Sequence, residues 1–153
     1  MVQSGKGQTV RVVFHVPGKP VPKARPRVTK KGYAYTPRTT QVFEQAVKLA
    51  WRKSRATHPF PEGVPLSMEI TFNFAPPKSW SKKRRAEVIE KGMCPTCRPD
   101  LDNLMKGVAD ALNGLAYKDD GQIVAAVIRK KYARKAHTRV VLEELEMEAE
   151  VGK

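Results

Sequence analysis

Cysteine is scarce in this chain of 153 residues: Cys94 and Cys97 are all it has. A disulfide-stapled scaffold is thereby excluded, and a chain of this length buries roughly two-thirds of its unfolded surface without one. Long apolar runs are missing too. The longest stretches without a charged side chain, Ile70–Pro77 and Gly121–Ile128, span eight residues, far short of the roughly 20 that a membrane-spanning helix needs. Met1–Thr9 carries Lys6 with no apolar run behind it, so no secretory signal is read. The three histidines, His15, His58 and His137, are scattered. That leaves Cys94-Pro95-Thr96-Cys97 as half a zinc site or a redox pair, with no further ligands in sequence to complete the former.

Acid is the other shortage. Asp and Glu number 15 against 29 Lys and Arg, for a net charge of +14. Five of the acids, Glu143, Glu144, Glu146, Glu148 and Glu150, crowd the C-terminal end as a strand edge running into a solvated tail. Residues 1–142 therefore hold 28 basic and 10 acidic groups, a net of +18. Such a surface suits a polyanion, because each neutralised phosphate releases condensed counterions. Nucleic acid is the expected partner; neither a membrane nor a small-molecule substrate is.

What is present alternates clearly. Thr9–Val16 is β-branched and predicts a first strand. From Pro17 to Pro37 the chain has five prolines, several cations and no acid. Within it, residues 28–35 predict a hairpin turning at Lys31-Gly32. Thr36-Pro37 reads as an N-cap followed by proline at the first helical position, opening a helix with Val42, Phe43, Ala46, Val47, Ala50 and Trp51 on its packed face. Leu66, Met68, Ile70, Phe72 and Phe74 alternate with polar residues, the cleanest strand in the chain. Ser81–Lys91 predicts a short basic helix stopped by Gly92, and Leu101–Asn113 a third helix. Residues 122–132 and 137–145 close the chain as strands. The order predicts an α+β fold, a single-layer mixed β-sheet with helices packed on one face. One domain over residues 9–146 lies between a flexible leader (1–8) and a flexible acidic tail (147–153).

All five aspartates, Asp100, Asp102, Asp110, Asp119 and Asp120, fall within one short window, and every other acid is a glutamate. Aspartate is a short oxygen donor suited to hard cations such as Mg²⁺. Asp100 reads as the N-cap of the third helix and Asp102 stands in its first turn, where simple capping and dipole effects compete with metal binding as explanations. Lys106 lies four residues after Asp102, a spacing shared by ordinary surface ion pairs. Asp110 suits a structural bond better than a metal. Asp119-Asp120-Gly121 reads equally as a turn or as ligands.

Among the cations, Lys19, Lys23, Arg25, Arg27, Lys30, Lys31 and Arg38 of the proline-rich segment are candidates for DNA-backbone contact. So is the run Lys82, Lys83, Arg84 and Arg85, which serves equally as a solvated helix face. Tyr33 and Tyr35 are read as hairpin or core residues before base-stacking ones. Trp51 and Trp80 are read as core and helix-staple residues.

Pro99-Asp100-Leu101-Asp102-Asn103-Leu104-Met105-Lys106, continuing through Asp110-Ala111-Leu112-Asn113-Gly114 to Tyr117-Lys118-Asp119-Asp120-Gly121, closely resembles the signature of the RusA family of Holliday junction resolvases, often encoded by prophages. Gly18–Arg27 and Tyr35-Thr36-Pro37 resemble a further segment common in that family. The resemblance implies a small α+β homodimer that nicks two strands of a four-way DNA junction with Mg²⁺ or Mn²⁺, in the cytoplasm at the nucleoid. It implies that Asp100, Asp102 and Asp120 bind metal and that Lys106 is catalytic. Flap or fork cleavage, or a non-catalytic nucleic-acid-binding role, are the alternatives.

Overall fold

The computed structural model describes residues 2–5, 8–54 and 58–146. Ten elements carry the chain: strands β1 (Val2–Gly5), β2 (Gln8–Pro17), β3 (Arg27–Val28) and β4 (Ala34–Tyr35), helix α1 (Arg38–Lys53), strand β5 (Leu66–Phe74), helices α2 (Lys82–Glu90) and α3 (Leu101–Leu112), and strands β6 (Ile123–Tyr132) and β7 (His137–Glu144). A 3₁₀ turn, Asp120–Gln122, precedes β6.

Five strands form one mixed sheet in the order β1-β2-β7-β5-β6. Strand β5 sits between the last two, antiparallel to β7 and parallel to β6. The alternation in β5 is realised: Leu66, Met68, Ile70, Phe72 and Phe74 are all buried. Register places Val12 and Phe14 of β2 beside Leu142 and Val140 of β7, and these beside Met68 and Ile70 of β5. The apolar side chains of three strands thus share one face. On that face lie Phe43, Val47 and Trp51 of α1 and Leu104, Val108 and Leu112 of α3, in one continuous core. The fold is α+β with a mixed sheet and three helices, and no described helix is long and apolar enough to cross a membrane.

Several boundaries differ from the sequence-based expectation. Val2–Gly5 pairs with β2 as an edge strand where a loose leader was expected. The N-cap of α1 is Pro37, not Thr36, and it offers no side-chain cap. Val42 is 59% exposed, because Phe43, Val47, Ala50 and Trp51 already form the buried stripe and Val42 lies to its side. The expected hairpin is present, with Gly32 at φ +88° as its turn requires. The acidic tail (147–153) lies outside the described residues.

Candidate functional site

Helix α3 forms because Leu101, Leu104, Val108 and Leu112 recur at helical spacing and bury against the sheet. That docking turns Asp102, Lys106, Asp110 and Asn113 onto another common face, since residues three and four apart align. Asp100 is the N-cap residue, with φ −72° and ψ 145°, yet its carboxylate accepts no capping hydrogen bond. Asp102 and Lys106 are both exposed and form no ion pair with each other among the described residues. Asp100 thus does not cap and Asp102 does not pair with Lys106; of the structural explanations only the dipole effect of Asp102 in the first turn is met.

The proline-rich segment after β2 crosses α3 at Gly107. A Cβ there would stand 3.4 Å from the Val21 carbonyl oxygen and 3.5 Å from the Lys23 nitrogen, ordinary van der Waals contact, so the segment packs directly on the helix backbone at this point. The Lys23 N–H donates to the Asn103 carbonyl at 2.9 Å. The Lys23 ammonium donates to Glu44 Oε1 at 2.7 Å and lies 3.6 Å from Asp110 Oδ2. The Glu44 hydrogen bond, reinforced by both carboxylates, raises the Lys23 pKa against the effect of burial. Lys23, a candidate phosphate contact by sequence, is instead the button that fastens this segment to α1 and α3. Asp110 has the structural ion pair expected of it.

Beside this crossing a cleft of about 540 Å³ is lined by Lys19, Pro22, Thr39, Arg98, Asp100 and Asn103. Lys130 of β6 donates to the carbonyls of Cys97 and Pro99 at 2.8 and 3.0 Å, holding the loop that delivers Asp100. Sequence reasoning passed over both Arg98 and Lys130. Arg98 abuts the Pro99-Asp100 motif and was findable; Lys130 acts across 31 residues and left no local signal.

Asp119 and Asp120 lie at the other end of α3. Asp119 is consumed by the turn: its Oδ2 accepts from the Gly121 N–H at 3.1 Å, and its own N–H donates to Gln122 Oε1 at 3.3 Å. The Asp120 N–H donates to Asn113 Oδ1 at 3.0 Å, while its carboxylate has no hydrogen bond or ion pair among the described residues. Tyr117 is buried with its hydroxyl donating to the Ala109 carbonyl at 2.7 Å. Burial foremost, then Asp120, Asp110 and Asp119, push its phenol pKa strongly up. A helix of 12 residues rises roughly 18 Å from end to end; Asp100 stands at its start, and the Asp120 backbone is tied to Asn113 just past its end. Among the described residues no three His, Cys, Asp or Glu side chains are grouped to hold a metal ion. Asp100 and Asp102 both belong to the first end of α3, and Asp120 is bonded through its backbone to Asn113 at the other.

Outside α3, Lys19, Arg25, Arg27, Lys30, Lys31 and Arg38 are exposed, as are Lys82, Lys83 and Arg84; Arg85 is half-buried. Tyr33 and Tyr35 are 70% and 47% exposed rather than packed. Cys94 and Cys97 are free, exposed thiols. Trp51 joins the core as expected. Trp80 does not staple α2 through an apolar partner, since Arg85 holds the position a staple would use; it meets Tyr132 and Arg84 instead.

A family model, the endodeoxyribonuclease RusA, matches residues 17–143. The chain is 37% identical over 142 residues to YqaN of Bacillus subtilis, an uncharacterized protein, covering 88% of this chain and 96% of that one. It is 31% identical over 103 residues to the crossover junction endodeoxyribonuclease rusA of Lactococcus phage r1t, covering 65% of this chain and 70% of the phage protein.

Proposed function

The chain belongs to the RusA endodeoxyribonuclease family, and we propose that it resolves four-way DNA junctions, as a homodimer, by symmetric paired nicks. The observation that carries the chemistry is the pair of uncommitted carboxylates, Asp100 and Asp102, at one helix end of an otherwise strongly basic protein. Two short carboxylates with open water around them fit Mg²⁺ or Mn²⁺, which take oxygen donors and keep several waters beside substrate phosphate. Asp100 and Asp102 would hold such an ion, which when bound would supply a polarised water and offset charge on the scissile phosphate.

The chain's own groups do the rest. Lys106, one turn along the same helix face and free of partners, stabilises charge that builds on the phosphate during attack. Asp120 is the third proposed acid, its carboxylate spared by the turn that consumes Asp119; it stands beyond Asn113 at the other end of the face. Lys19, Arg25, Arg27, Lys30, Lys31, Arg38 and the cations of α2 hold the DNA backbone, which gives affinity and register without sequence preference. Lys23 is not among them. Two cuts related by a two-fold axis require two copies of the site, hence the dimer.

Labelled four-way junction, flap and linear duplex, each with Mg²⁺ or EDTA, test this reading. Symmetric nicks in the junction alone, abolished by EDTA, are expected. Cleavage of flaps at an equal rate would make the protein a general branch nuclease. Binding without cleavage would make it a non-catalytic member.

A further inference from the structure

We propose that a cavity beside α2 seats one unstacked nucleotide of the branched DNA, with Trp80 and Tyr132 as its aromatic walls. This deepens the junction reading and rests on it. The cavity, about 600 Å³, is lined by Trp80, Arg84, Lys91, Met93, Cys97 and Tyr132. The two rings touch each other, centroids 5.8 Å apart and tilted by 59°, and both are only half-buried. The Arg84 guanidinium covers one face of the indole at 3.7 Å, so a base would stack on the remaining exposed ring surface rather than between the rings. Helix α2 has a single buried residue, Val88, which lines the same cavity, and neither ring belongs to the continuous core.

The cavity also connects to the candidate site. A smaller one of about 260 Å³ shares Cys97 and Tyr132 with it, and shares Lys19, Arg98 and Pro99 with the cleft that holds Asp100. Three adjoining depressions thus run from Asp100 to Trp80. Lys19, Arg98, Lys130 and Arg84 line them with positive charge. The carboxylate at the far end, Glu87, accepts from Lys91 at 2.6 Å and is compensated. A cationic path ending on aromatic faces is the way single strands are held: cations follow the backbone and a base stacks on a ring. Filling the seat requires a base to leave its stack, which costs least where pairing is already interrupted. The seat therefore favours a branch point over continuous duplex.

The test uses the full chain with a four-way junction and a linear duplex of the same sequence, without divalent cation, so that binding is read apart from cutting. Trp80→Ala is expected to weaken junction binding about tenfold and to leave duplex binding unchanged, while Trp80→Phe restores most of the loss. A fluorescent adenine analogue at the crossover changes emission on binding the wild type and not Trp80→Ala. Should Trp80→Ala fold poorly, the exposed thiols give a separate readout. A disulfide-activated tether on a crossover base then cross-links to Cys94 or Cys97, and tethers within the arms do not. Wild-type junction affinity in Trp80→Ala, or no cross-link at any crossover base, overturns the seat while the wild type still binds and cuts junctions. Equal binding of junction and duplex by the wild type, with neither cut when Mg²⁺ is added, overturns the junction reading itself.

Discussion

At the first end of α3, Asp100 occupies the cap position without capping and Asp102 stands exposed without a partner; at the other end, Asp110 is paired with Lys23 and Asp119 is bonded into a turn. The residue type is the same throughout. A capping carboxylate is typically worth about 1 kcal/mol to a helix, and Asp100 forgoes it. Groups that decline an available stabilising bond are the ones free to meet a ligand, whereas groups that accept it are spent on the fold. The contrast therefore separates candidate chemistry at one end from architecture at the other, with Asp120 as the single uncommitted carboxylate of the second end.

Removing charge at the first end should have the largest effect. Asp102→Asn is expected to lower junction cleavage by about 10²–10³-fold or more while the melting temperature holds. Binding stays intact or tightens, because a repelling charge is gone. A parallel fall in melting temperature would break the contrast by making Asp102 structural. Lys106→Ala should come next, with a rate loss on the order of 10² and no change in urea midpoint, since no ion pair is broken. At the second end the ranking reverses. Asp119→Ala should cost about 1 kcal/mol in urea denaturation, the typical worth of an N-cap, and Asp120→Ala should cost little. If Asp120 takes part in catalysis, its loss is visible in the nicking rate alone; equal destabilisation by both variants would erase the distinction between them.

Much of this was legible in the sequence, for a physical reason. Elements and caps are set by local periodicity, so β5 and α3 and the placement of Asp100 at a helix start could be read directly. Pairings over long separation could not. A run of cations and prolines looks like one DNA-binding surface, but Lys23 meets Glu44 and Asp110, which belong to two different helices. The insertion of β5 between β6 and β7 is equally invisible, because strand order follows from how helices and sheet close around the core. Residue type and position did not separate Asp119 from Asp120, and only the family resemblance singled out Asp120; the turn geometry shows that Asp119 is the one bonded into the fold.

The finest difference between the two ends lies in alkaline titration. Tyr117 is buried against the second end, and its pKa is raised by burial and by the nearby Asp120, Asp110 and Asp119. A raised folded-state value means that the native protein holds this proton more tightly than the unfolded chain. The associated stability is complete below the ordinary tyrosine value of about 10 and drains as pH climbs through the interval above it. Lys23, also raised, acts in the same sense above the ordinary lysine value. Tyr117→Phe should cost about 1 kcal/mol at neutral pH through the lost hydrogen bond to Ala109, and should flatten the alkaline fall that Tyr117 contributes. Asp120→Asn should soften that fall only slightly, because burial and not charge is the larger cause. Asp102→Asn should leave it untouched. An alkaline profile altered as much by Asp102→Asn as by Asp120→Asn would show the two ends of α3 to be electrostatically one, and the division drawn between them would no longer hold.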